Sequence, residues 1–140
     1  MNTFTMVIDN MSDMVVLQKR KKPCTISNAM TLQILNYEFL GPINLSEWGP
    51  PMEEVLYLIL SKTSETFSII YTGQSGKTDD GQFFTKHERF QCWSQLSGQK
   101  NLHLAIYPMW GSTEQQRLNI LKKIIQKYTP KCNESEPNVL

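Results

Sequence analysis

Val55-Leu56-Tyr57-Leu58-Ile59-Leu60 and Phe67-Ser68-Ile69-Ile70-Tyr71-Thr72-Gly73 are the two runs on which the fold turns. The first is unbroken apolar sequence, the pattern of a strand buried on both faces. Residues 62–66 are polar and small, a connection of hairpin length. The second run is rich in β-branched and aromatic residues and is expected to stop at Gly73. A hairpin symmetric about Ser64 sets Tyr57 opposite Tyr71 on one face, with Cβ atoms about 4.5–5.5 Å apart. A one-residue slip would send the two phenols to opposite faces. Tyrosines in strands commonly do no more than pack, so the pair alone fits a structural role as well as a chemical one.

The chain has 140 residues, the size of one domain with a modest core. A formal net charge of +1 does not mark a nucleic-acid binder, so such a surface would have to come from local clusters of lysine and arginine. Cys24, Cys92 and Cys132 are odd in number and widely spaced. With no signal peptide or membrane-spanning run, they read as free thiols in a cytoplasmic chain that has no membrane partner. A metal site built from Cys92, Cys132 and His87 would lack the close cysteine pairs typical of zinc, and small buried thiols are the expected state.

Residues 1–40 read as an N-terminal extension partly packed on the core, 41–133 as the main domain and 134–140 as a frayed tail. Residues 1–17 have no clean period. Lys19-Arg20-Lys21-Lys22 is either a phosphate-contacting arm or a solvated charge cluster. Residues 31–40 are apolar enough for a strand or a short helix. Gly41-Pro42 and Trp48-Gly49-Pro50-Pro51 read as breakers before the Tyr57 strand, and Trp48 has too much apolar area to be left fully exposed.

Residues 74–82 read as a surface loop. Thr85 with Glu88 forms a capping-box pattern for a helix over 86–97, with Phe90, Trp93 and Leu96 as its apolar face. On that helix Arg89 is suited to clamp a phosphate through its bidentate fork, or it is simply a solvated helix arginine; His87 lies on the first turn. Residues 101–107 alternate, with Leu102, Leu104 and Ile106 on one face and His103, Ala105 and Tyr107 on the other, which is a third strand. A second capping-box pattern at Ser112-Thr113-Glu114-Gln115 opens a helix whose inward stripe is Leu118, Leu121 and Ile125, widened by Ile120, Ile124 and Tyr128. Pro130 stops it.

Leu56-Tyr57, then Ile70-Tyr71-Thr72-Gly73-Gln74-Ser75, then Arg117, Ile124-Ile125 and Tyr128-Thr129-Pro130-Lys131-Cys132-Asn133 together resemble the GIY-YIG nuclease superfamily over roughly residues 48–133. Val55 stands at the first glycine of that signature and Thr72 at the middle residue of its second triplet. The resemblance implies an α+β fold, a small central antiparallel three-stranded sheet flanked by helices. It also implies metal-assisted hydrolysis of DNA phosphodiesters. A tyrosine helps activate water, an arginine offsets phosphate charge, and a glutamate holds one Mg²⁺ or similar divalent ion that polarises the phosphoryl oxygen.

Carried over by position, Tyr57 and Tyr71 are the tyrosines, Arg89 the arginine, His87 an accessory histidine and Asn133 the closing asparagine. The glutamate position falls on Leu121, which the match places facing the tyrosines. An aliphatic side chain cannot ligate Mg²⁺, which requires oxygen ligands. Glu114 is a weak substitute, about 10 Å away along the helix at 1.5 Å per residue. Three readings follow: a nuclease drawing a carboxylate from Glu114, Glu53 or Asp79; a degenerate module that grips DNA or RNA through Arg89 and the basic flank Lys122, Lys123, Lys127 and Lys131; or a structural interaction domain in which Leu121 completes the core.

Overall fold

The computed structural model describes residues 31–134 and, as backbone alone, residues 4–8 and 14–19. Arg20, Lys21, Lys22 and Cys24, and the tail from residue 135, lie outside the described residues. The strands are β1 (Phe4–Ile8), β2 (Met14–Lys19), β3 (Thr31–Ile34), β4 (Tyr37–Asn44), β5 (Met52–Thr63), β6 (Thr66–Thr78) and β7 (Leu102–Pro108). The helices are α1 (Phe90–Ser97), α2 (Glu114–Tyr128) and the short α3 (Lys131–Glu134).

The class is α+β, but the sheet is larger than the three strands expected. Five antiparallel strands run in the order β6-β5-β7-β4-β3, and β1 and β2 close them into a barrel through a parallel β1–β3 pair and an antiparallel β2–β6 pair. Closure shortens the exposed strand edges, since β2 covers β6 over Thr66–Ser68. The added strands come from sequence read as an extension and as breakers. Leu32, Ile34 and Phe39 are fully buried, and β4 runs across residue 40 without interruption. Gly41-Pro42 lies within β4, where the register with β7 shifts between Leu40 and Ile43. Gly41 has φ +113, and a Cβ there would stand 2.8 Å from the Leu104 carbonyl oxygen, so only glycine lets β4 cross β7 at this point. The pair marks a bulge and not an end.

The hairpin of β5 and β6 turns on Ser64-Glu65 with Thr63 opposite Thr66, and Ser64 adopts φ 59. That two-residue turn shifts the distal register by one from the symmetric pairing, which alone would have put the tyrosines on opposite faces. A bulge at Ile70, between the pairs Ile59–Tyr71 and Leu60–Ile69, adds a second residue and restores the parity. Tyr57 therefore lies opposite Gly73 and diagonal to Tyr71 on a shared face, with ring centroids 6.2 Å apart. Strand β6 does not stop at Gly73. It pairs on to Thr78, because β5 begins earlier than the apolar run, at Met52, and supplies the partner backbone.

Two clusters sit on the two faces of β5. Leu56, Leu58 and Leu60 join Leu32, Ile34, Phe39, Ala105, Ile124 and Tyr128, with Ile120 and Leu121 of α2 packed alongside. Val55, Tyr57 and Ile59 join Phe84, Trp93, Leu102 and Leu104, with Tyr71, Phe90 and Ile106 alongside. The alternation read in β7 divides between the two clusters as expected. Helix α2 opens with a capping box one residue later than the expected Ser112–Gln115 pattern: Thr113 Oγ1 accepts from the Gln116 amide at 3.1 Å and the Gln116 side chain accepts from the Thr113 amide at 2.8 Å. Thr129 ends it in the left-handed conformation, ahead of Pro130. Helix α1, by contrast, starts at Phe90 and not at residue 86. The Thr85 hydroxyl donates back to the Gln82 carbonyl, and residues 80–89 form a chain of reverse turns.

Cys92 and Cys132 form a disulfide that joins α1 to α3, with Cα atoms 5.9 Å apart. The expectation of free thiols is wrong for this pair, and the step from free thiols to a cytoplasmic chain loses its premise. Neither sulfur is then available to a metal. Sequence spacing could not show the bond, because packing alone brings together two positions 40 residues apart. Among the described residues no helix is long and apolar enough to cross a membrane.

Candidate functional site

Tyr57 projects from the centre of β5 across the backbone of Gly73. A Cβ on Gly73 would lie 2.5 Å from the Tyr57 hydroxyl oxygen and 2.6 Å from Cζ. Gly73 is therefore the space in which the phenol lies, rather than the terminator of a strand. Edge-on contacts with Phe83 and Phe84, at 6.1 and 5.2 Å between centroids, enclose the ring further. Only 2 % of Tyr57 is exposed.

The turns of residues 80–89 bring His87 onto this ring. Its Nε2 lies 3.3 Å from the Tyr57 hydroxyl, and its Nδ1 accepts the Arg89 amide at 3.0 Å. With Nδ1 an acceptor, neutral His87 carries its proton on Nε2 and donates it to the phenol. Tyr57 in turn hydrogen-bonds Tyr71. Burial pushes the Tyr57 phenol far above the ordinary range; the neighbouring Tyr71 and the hydrogen bond to it push the same way. Tyr57 is enclosed on all sides, and the half-buried Tyr71 and His87 are the members that reach the surface. Trp93 of α1 supports both, 5.3 Å from Tyr71 and 4.8 Å from His87.

Arg89 stands at the N-terminal edge of α1, where its amide fixes the His87 ring, and it is half-buried. Asn133 approaches from α3, yet its amide is fully engaged: Oδ1 accepts from the Thr72 amide at 2.9 Å and Nδ2 donates to the Thr72 carbonyl at 3.1 Å. It acts as a substitute strand on the edge of β6, beyond the stretch Thr66–Ser68 that β2 covers, and it braces Tyr71 from the neighbouring residue. The Asn133 amide is thus bonded to the Thr72 backbone and not to either phenol.

The basic flank lies elsewhere. Lys122, Lys123 and Lys127 are exposed on α2 and Lys131 on α3, while α2 turns its buried side to the cluster that excludes Tyr57. Leu121 belongs to that buried side, across β5 from the tyrosines, which corrects the placement of this position as facing them. Glu114 accepts from Gln74 Nε2 at 3.3 Å, Asp79 pairs with Lys77 at 3.8 Å, and Glu53 is exposed opposite Lys77.

Hydrophobic patterning missed Arg117. The most buried positions of α2 are Arg117, Ile124 and Tyr128, so the centre of its inward face lies to one side of the stripe of Leu118, Leu121 and Ile125. An arginine at the head of an apolar stripe, four residues after a Thr113 cap, was the available signal. No protein-family model, curated protein or solved structure matches the chain.

Proposed function

We propose that this chain is a GIY-YIG-like nucleic-acid-binding domain, with DNA the partner that the resemblance favours, in which the metal-dependent cutting step has been lost. The observation that carries this reading is the bonded series from Arg89 through His87 and Tyr57 to Tyr71. Three positions singled out by the resemblance, Tyr57, Tyr71 and His87, join through their side chains although Tyr57 and His87 are 30 residues apart, and Arg89 fixes the His87 ring through its backbone amide. Asn133 adds a fifth by bracing the strand beside Tyr71.

The residues present do not suit a divalent ion at this site. Leu121, at the glutamate position, is aliphatic and lies on the other face of β5, and Glu114 and Asp79 are engaged with Gln74 and Lys77. No hydrolytic step is therefore derived. What the network offers is a rigid polar edge: Tyr71 and His87 held by Trp93, with Arg89 alongside to meet a phosphate.

Fluorescence anisotropy with labelled duplex DNA, single-stranded DNA and RNA across a salt series tests the reading. Wild type should bind at least one of them with salt-sensitive affinity. Arg89→Ala should weaken it and lower the slope of log affinity against log salt by about 0.7–0.9, the loss of one phosphate contact. Absence of salt-sensitive binding to all three would leave the interaction-module reading. Plasmid nicking by wild type in Mg²⁺ or Mn²⁺ would show an active nuclease.

A further inference from the structure

Arg117 is 95 % buried, 5 % of it remaining exposed, and a buried guanidinium carries a desolvation penalty that a neutral environment offsets poorly. Its contacts are all neutral acceptors. Nε donates to Gln74 Oε1 at 2.9 Å, and Nη1 donates to the Ser112 carbonyl at 3.0 Å and to Ser112 Oγ at 2.9 Å. Glu114 stops one step short, because Gln74 stands between, donating to the carboxylate and accepting from the guanidinium. Asp79 is held by Lys77. Among the described residues, no carboxylate pairs with Arg117 and no acceptor receives Nη2.

Nη2 is the atom aimed at Gly76. A Cβ built on Gly76 would stand 3.6 Å from it and would meet nothing else within 4 Å. Gly76 is exposed and lies on β6, and without a side chain it leaves Nη2 uncovered on that side. Two of the three nitrogens are locked by three hydrogen bonds, and the third lies next to the position that a side chain at Gly76 would occupy. A pre-organised arginine with one free edge suits a phosphate oxygen.

We propose that Arg117 Nη2 and the open backbone at Gly76 form a phosphate-binding point. On the nucleic-acid reading above, the phosphate is one of the backbone, held away from the Tyr57–Tyr71 face. The glycine thus serves access rather than backbone conformation.

Gly76→Val is the test, because it covers Nη2 while leaving residue 117 an arginine and places a strand-favouring residue at an exposed strand position. Wild type and variant are titrated with duplex DNA and, separately, inorganic phosphate, following the Arg117 Nε–H resonance by NMR, with anisotropy for the DNA. A melting curve verifies that the variant is folded. The expected result is DNA affinity roughly tenfold lower in Gly76→Val, a salt slope smaller by about 0.9, and an Arg117 resonance that moves with ligand in wild type alone. Unchanged affinity, or a resonance still at saturating DNA while Arg89→Ala still weakens binding, overturns this inference and leaves the nucleic-acid reading standing. Movement with phosphate but no DNA or RNA binding supports the anion point and overturns the nucleic-acid reading. A resonance that neither ligand moves overturns the phosphate point outright.

Discussion

Tyr57 shows how one hydroxyl can be removed from chemistry by its surroundings. The Gly73 backbone beneath it, Phe83 and Phe84 at its edges and His87 at its oxygen leave no path for substrate. Its phenol titrates far above the ordinary value near 10 for reasons of burial first and Tyr71 second. A raised folded-state value means that the folded chain keeps a proton the unfolded chain releases. The associated stability is complete below pH about 10 and is lost as pH climbs above it. In urea unfolding followed between about pH 8 and 11, wild-type stability should fall in the alkaline arm by up to about 1.4 kcal/mol per pH unit from this group. Tyr57→Phe should fall less steeply, with Tyr128, also pushed up by burial, still contributing. Parallel alkaline arms for the two proteins would mean that Tyr57 ionises as an exposed phenol does.

At the scale of the element, α2 presents a different side from the one its aliphatic residues advertise. Spacing selects Leu118, Leu121 and Ile125, but the helix turns Arg117, Ile124 and Tyr128 inward, because β6 offers Gln74 and the turn between β7 and α2 offers Ser112 as acceptors for the guanidinium. Leu121 then packs beside Ile124 on the face of β5 opposite Tyr57. Leu121→Glu should lose about 1–3 kcal/mol of stability by exchanging an apolar contact for a partly desolvated carboxylate. Mn²⁺ should not restore it, since the new carboxylate is on the wrong side of the strand to join the tyrosine site. Differential scanning fluorimetry with and without Mn²⁺ distinguishes the cases. A metal-dependent rise in Tm for the variant alone would place α2 against the tyrosine face after all.

The whole molecule is tied together by a bond that crosses both halves of the site. The Cys92–Cys132 disulfide links α1, which carries Trp93 under Tyr71 and His87, to α3, which carries the Asn133 brace. Closing a loop of sequence separation 40 contributes about 4 kcal/mol on the chain-entropy account. Dithiothreitol should therefore lower the Tm of wild type markedly and leave Cys92→Ser, already without the bond, unmoved. Equal Tm values for oxidised and reduced wild type would show that packing alone holds α3 in place.

Local sequence determined the elements whose periodicity is strong and short-range. The hairpin of β5 and β6, the alternation of β7, and the capped start and proline stop of α2 were all legible, because each depends on residues a few positions apart. Tertiary structure decided the rest. The barrel needed partners for strand edges that no local pattern reveals, Gly41-Pro42 is a bulge only because β7 runs beneath it, and the disulfide pairs residues far apart in the chain. The parity of the tyrosines was right through two one-residue shifts, at the turn and at Ile70, that add to two and so keep both rings on one face. The side of α2 that faces inward was fixed by a buried arginine and its neutral acceptors, and a hydrophobic count gives such a residue no weight.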